Sequence, residues 1–467
     1  MQTKQLIYKI SAKLNSFLLK KYYKLICKTH SIIKIKNSTN IFKKYFKLYK
    51  LSLFWKILAN QGYAASQCHL GDMYSVGNRF TQNYRTALKY YQLAAKQGYA
   101  EAQFKLGEVY RHGRGVSKNE QEALNYYHLA ADQGHIEAQY ELGNIYSKAL
   151  KPLKNQKKAT YYYQLAANQG HATAQYKIGN RYITSLGILS NYQNGLNYLQ
   201  LAADQGYVEA LNRLGEFYES GSIFLRNEEQ AFYYYKLAAN RGNQQAQYKV
   251  GLMYEKGIAV MQSYQDAFAY YHLASDHVEA QYRLAILYEK GLGTIQSYES
   301  AFKYYKLAAE RHHKEALFRL GFMYAEGIGV TQSDKEAFKY YKLAAHLRHR
   351  EANYKLGFIY AEGISVIQSY KEAFTYYKSA ADRGHVKAQC NVGMLYEQGL
   401  GIKKNNSLAL KYYKLAVDQG DAKAQCMLGI MYINGHITLS KNQGALIQHI
   451  IYPLKFLTLN RALRLDK

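Results

Sequence analysis

Four cysteines in 467 residues are too few to build a disulfide framework. Cys68, Cys390 and Cys426 fall at one recurring position that otherwise holds Tyr or Phe. Cys390 and Cys426 lie one recurrence apart, about 10 Å by helix stacking, which is beyond disulfide reach. A reducing compartment is therefore expected. Carboxylates are missing from the start of the chain. Residues 1–50 hold thirteen Lys and no Asp or Glu, the first acidic residue is Asp72 and the first Arg is Arg79. The late Arg argues against an organelle transit peptide, and no apolar run is long enough for a signal-peptide core or a membrane span. The expected location is the cytoplasm or another reducing compartment, with translocation into a host cell left open. No H-E-x-x-H, G-x-S-x-G, P-loop or strand-preceded G-x-G-x-x-G occurs. No two carboxylates are paired in a buried setting. Neither enzymatic activity nor a cofactor is expected.

What the chain has is one sentence, repeated. Residues 301–336 read AFKYYKLAAERHHKEALFRLGFMYAEGIGVTQSDKE, and nearly the same string follows. Its "LG" glycine recurs at Gly71, Gly107, Gly143, Gly179, Gly215, Gly251, then Ala285, Gly321, Gly357, Gly393 and Gly429. The step is 36 residues except from Gly251 to Ala285, where "QG" is missing before His277. A fixed period of this size marks a solenoid. Relative to that anchor, Ala at −5, Leu at −1, an apolar residue at +2 and Tyr at +3 share one helical face. A second helix reads A-x-x-Y-Y-x-x-A-A, as at Ala337, Tyr340, Tyr341, Ala344 and Ala345. Glycine lowers helix propensity by roughly 1 kcal/mol, so its return mid-helix implies close approach of a neighbouring helix. Glycines at +6, such as Gly113 and Gly327, and those of "QG", such as Gly134, sit where left-handed helix ends are wanted. The fold class is all-α: an α/α two-helix repeat solenoid of about eleven units.

The string A-x-x-x-L-G-x-x-Y-x-x-G-x-G-V…A-x-x-Y-Y-x-x-A-A-x-x-G resembles the Sel-1-like repeat, a relative of the tetratricopeptide repeat, over roughly residues 51–450. That family often has Trp at the second aromatic of the second helix; here it is Tyr almost throughout, and the only Trp is Trp55. The resemblance implies an adaptor that assembles complexes, including bacterial proteins that meet host factors. The expected divisions are a basic segment at 1–50, the repeats at 51–435, and a degenerate last helix with a C-terminal cap at 436–467. Leu6, Ile10, Leu14 and Phe17 with Lys9, Lys13 and Lys20 make the first segment a basic amphipathic helix. It reads as a cap on the first unit or as a contact to membrane phospholipid, with nucleic acid less favoured.

Candidate partner-binding residues lie opposite the packing face of the first helix. At −3 stand Tyr248, Tyr282, Phe318 and Tyr354; at −2, Lys249, Arg283, Arg319 and Lys355. At +1 the column changes from Asp72, Glu108, Asn144, Asn180 and Glu216 to Leu252, Ile286, Phe322, Phe358 and Met394. An apolar stripe edged by cations suits a protein or peptide with acidic flanks. In tetratricopeptide-like solenoids this side resembles the lining of the concave surface. The alternative is that a tightly wound superhelix buries the stripe against itself. A nucleic-acid variant would stack bases on the −3 rings. His135, His171, His277, His313, His349 and His385 recur just after the inter-unit turn, where helix-start roles are expected in place of metal ligation.

Overall fold

The computed structural model describes residues 55–78, 80–148, 155–184, 189–221 and 226–433. The expected N-terminal segment at 1–50 and C-terminal cap at 436–467 lie outside the described residues. The chain divides into two compact units, residues 1–178 and 179–467. Among the described residues each is built only of helices and turns.

In the first unit, helices Ala64–Val76, Ala100–His112 and Ile136–Lys148 are first helices, and Tyr84–Lys96, Glu120–Asp132 and Gln156–Asn168 are their partners. In the second unit the same alternation runs from Leu189–Asp204 to Ala422–Ile433. Within each unit a first helix packs on its own second helix, as Ala100–His112 on Glu120–Asp132, and that helix on the first helix of the next repeat, as Glu120–Asp132 on Ile136–Lys148. Second helices start at an Asn or Ser whose side chain takes a backbone N–H, as Asn83 does from Thr86 and Ser333 from Glu336. Most first helices whose caps are described close on a left-handed glycine, with φ of 69° at Gly113 and 70° at Gly327; Gly221, at φ −55°, is an exception.

The glycine anchor is a close approach. A Cβ added at Gly107 would sit 2.6 Å from the Tyr127 ring, and one at Gly321 would sit 2.6 Å from Tyr341. The second Tyr of each YY pair therefore lies flat against backbone and is almost wholly buried, as at Tyr127, Tyr235, Tyr271, Tyr305 and Tyr341. The Tyr at +3 is half-buried in most repeats, buried at Tyr146 and Tyr396, and stacks on the first Tyr of the pair. Ring centroids are 5.7 Å apart for Tyr110 and Tyr126, and 5.5 Å for Tyr324 and Tyr340. Such pairs contribute roughly 0.5–1.5 kcal/mol beyond area burial. One repeat thus consumes about three tyrosines, which accounts for more than half of the 51 in the chain. Where two residues are missing before His277, the second helix Tyr264–Leu273 is cut to 10 residues, yet Tyr271 keeps its place in the core.

Candidate partner-binding face

The face opposite the core is decided by where each buried tyrosine sends its hydroxyl, since a buried O–H without an acceptor is costly. In the first unit the acceptor is the +1 residue. Tyr91 donates to Asp72 at 2.8 Å, Tyr127 to Glu108, and Tyr163 to Asn144 at 2.8 Å. In four repeats of the second unit it is a glutamate at +4. Tyr235 donates to Glu219 at 2.6 Å, Tyr271 to Glu255 and Tyr305 to Glu289 at 2.5 Å each, and Tyr413 to Glu397 at 2.8 Å. Burial, and then the adjoining carboxylate, push these phenols well above their usual range. Moving the acceptor to +4 frees +1 from polar duty, which is why that column turns apolar at Leu252 and Ile286.

The same glutamates meet the cations at −2 of the following repeat. Lys249 reaches Glu219 at 2.8 Å, Arg283 reaches Glu255 at 3.0 Å, and Arg319 reaches Glu289 at 3.6 Å. The cations expected to edge the stripe are paired at these three positions: they neutralise a carboxylate that already holds a phenol. A half-buried carboxylate needs such a counter-charge. The −3 rings are also engaged from one side. Tyr248 stacks on His277 at 4.4 Å, Tyr282 on His313 at 4.4 Å, Phe318 on His349 at 4.6 Å and Tyr354 on His385 at 4.3 Å. They are inter-repeat packing, with that ring face closed to bases.

Five of the six recurring histidines are helix caps; His277, at the shortened repeat, makes no side-chain cap. His135, His171, His313, His349 and His385 each accept at Nδ1 from the backbone N–H three residues on. That leaves the ring proton on Nε2. His135, His313 and His385 donate it to Glu101, Glu279 and Glu351 of the preceding repeat. Among the described residues no group of three or more His, Cys, Asp or Glu stands close enough to hold a metal ion. Cys68 and Cys390 are free and buried, with thiols pushed up to about 12 and about 11 by burial first and nearby carboxylates second. Thiols held neutral in this way are poor nucleophiles.

Two consecutive repeats break the polar pattern. Their +4 residues are Ala325 and Ala361, and their +1 residues are Phe322 and Phe358. Phe322 is half-buried and Phe358 is 42% exposed. Met394 follows half-buried and Ile430 is 36% exposed. With Ala325 in place of glutamate, Lys355 enters no ion pair among the described residues. Sequence reading found the +1 change and missed its cause. The signal was the +4 column itself, Glu219, Glu255, Glu289, Ala325, Ala361, Glu397.

A second feature was also missed. A cleft of about 350 Å³ lies between helices Tyr298–Glu310 and Asp334–His346, lined by Lys306, Ala309, Leu317, Leu343 and Leu347 among others. Elsewhere its floor is a pair of amides, Gln133 on Gln103 and Gln419 on Gln389. Here both are leucine, Leu347 and Leu317. The turns beside it carry His312 and Arg348 at φ 61° where most repeats have glycine.

Eleven consecutive stretches match the Sel1 repeat model: residues 64–99, 100–135, 136–171, 172–207, 208–243, 244–277, 278–313, 314–349, 350–385, 386–421 and 422–445. Among solved structures the chain is similar to c5321, a protective antigen of uropathogenic Escherichia coli strains with an SLR fold. Identity is 30%, coverage 82% of this chain and 83% of that one, and TM-score 0.73. It is also similar to a Sel1 repeat protein of Oxalobacter formigenes, at 26% identity, 67% and 90% coverage and TM-score 0.54. No curated protein is significantly similar in sequence. No helix among the described residues is long and apolar enough to cross a membrane.

Proposed function

The chain belongs to the Sel1 repeat family, matched over most of its length, and from that premise we propose a non-enzymatic scaffold that holds a protein or peptide segment on the first-helix face around Phe322 and Phe358. Members of this family generally serve as protein–protein interaction scaffolds. The observation that carries the assignment is the break in the polar pattern. Repeats on either side spend +1 or +4 on a tyrosine hydroxyl, whereas these two present phenylalanine and alanine. Apolar side chains kept on a surface that its neighbours make polar are what interface anchors look like. Leu252, Ile286 and Met394 extend the stripe, and Tyr248, Lys249, Tyr282, Arg283, Phe318, Arg319 and Tyr354 brace it from within the inter-repeat packing. Lys355 is the one −2 cation among them left to a partner, so the acidic character of that partner is local, not spread along a ladder.

The test is a pull-down with the full chain, wild type beside Phe322→Ala/Phe358→Ala, scored by mass spectrometry. A partner retained by the wild type and lost by the double variant, with helical circular dichroism unchanged, is expected. Retention of every partner by the variant places the contact elsewhere.

A further inference from the structure

Three consecutive repeats show what normally fills the space beside the −2 cation. Tyr235, Tyr271 and Tyr305 each donate to a glutamate at +4, and Lys249, Arg283 and Arg319 close on the same carboxylate from the following repeat. The fourth repeat keeps both donors and lacks the acceptor. Tyr341 is 2% exposed overall, and its hydroxyl makes no hydrogen bond among the described residues yet is not one of their buried unpaired atoms, so the oxygen reaches the surface. Lys355 stands at the cation position without an ion pair. At the +4 position, where the other three repeats have the glutamate, stands Ala325. The adjacent Glu326 is exposed and acts on Tyr341 only through space. The fifth repeat is different, since Tyr377 has the Asn391 amide beside it.

We infer that this is a vacated carboxylate site: an Asp or Glu side chain of a bound peptide sits over Ala325, accepts from Tyr341 Oη and Lys355 Nζ, and rests its neighbours on Phe322 and Phe358. The inference deepens the scaffold reading above and rests on it. Three features of the chain support this occupant. The geometry is the one the molecule itself uses for glutamate three times over. A phenol whose ring is buried and whose hydroxyl reaches the surface with no acceptor inside the protein is free to donate to an ionised group from outside. A single lysine flanked by two phenylalanines fits one acid beside apolar residues, not a polyanion.

The experiment is affinity selection of random, C-terminally amidated peptides of about 12 residues on the full-length protein, followed by titration of the enriched peptides against variants. Enriched peptides are expected to share one Asp or Glu next to an apolar residue. Replacing that acid by Ala should weaken binding about tenfold. Ala325→Glu installs the missing acceptor within the chain, so it should weaken binding as much while leaving or raising the melting temperature. Lys355→Met should weaken it without adding bulk. Enriched peptides with no common acid, an Ala325→Glu variant that binds like wild type or melts earlier, or no enrichment at all would each overturn the site. If Phe322→Ala/Phe358→Ala abolishes peptide binding but Ala325→Glu does not, the scaffold face survives and the carboxylate site falls. If none of the variants alters binding, both fall.

Discussion

A single hydroxyl separates two tyrosines that are otherwise interchangeable. Tyr305 and Tyr341 occupy equivalent positions, are almost fully buried and lie against Ala285 and Gly321 respectively. Tyr305 donates to Glu289, which also faces Arg319. Removing that donor by Tyr305→Phe leaves a half-buried carboxylate short of a hydrogen bond and is expected to cost about 1–2 kcal/mol. Tyr341→Phe deletes a hydroxyl with no acceptor and is expected to cost less than about 0.5 kcal/mol, or to stabilise slightly. Amide hydrogen exchange of helices Tyr298–Glu310 and Asp334–His346 measures both. Equal losses would mean that the Tyr341 hydroxyl has a partner inside the protein. The pair also shows how far one repeat can be read in isolation. The buried ring was legible from its spacing to the anchor glycine, but whether its hydroxyl was satisfied depended on position +4, which the helical face of that residue alone does not reveal.

Helix starts carry the next level of control, because the caps titrate. His349 accepts from the Ala352 N–H through Nδ1 and so fixes the first turn of Arg350–Glu362. A protonated imidazole has no lone pair there to offer. Burial holds His349 below the usual histidine range; Glu315 and Glu351 oppose that shift, and Lys314 and Arg350 add to it. With its native value depressed, the unfolded chain takes up the proton first as pH falls. The contribution to stability is therefore complete above the unfolded value of about 6.5 and is lost as pH drops through the lower native one. Asn243 supplies a non-titrating precedent, capping Gln244–Lys256 by accepting from Ala246 at 2.8 Å. His349→Asn is expected to lower stability at neutral pH, through loss of the stack on Phe318, while flattening the decline between about pH 7 and 5. Melting curves across that range test it; an unchanged acid slope would exclude His349 as a contributor. These histidines were legible as helix-start residues from their fixed place after the turn. Their stacking on the −3 aromatics was not, because the two partners belong to successive repeats.

At the scale of the whole chain, the legible and illegible parts divide by sequence distance. A period of 36 residues, the glycine anchor and the alternating Ala and Tyr sizes specify helix pairs and their order, since each repeat buries its face against the next. A single helical wheel places the −2 cations away from the core and does not show their pairing; their carboxylates lie about thirty residues earlier, on another helix, as with Lys249 and Glu219. Contacts that reach only one repeat also set how damage spreads. Stability of such an array is close to a sum of repeat and nearest-neighbour terms. Tyr271 joins its own helix to Gly251 and Glu255 of the helix before it and touches Tyr248. Tyr271→Ala empties that space at an expected cost of about 3–5 kcal/mol. Hydrogen exchange should then rise in Gln244–Lys256, Tyr264–Leu273 and Val278–Lys290, while Val386–Gln398 keeps its protection. A uniform rise through all helices of residues 179–467 would instead mean that this unit opens as one cooperative body, and that a partner bound near Phe322 is felt at every repeat within it.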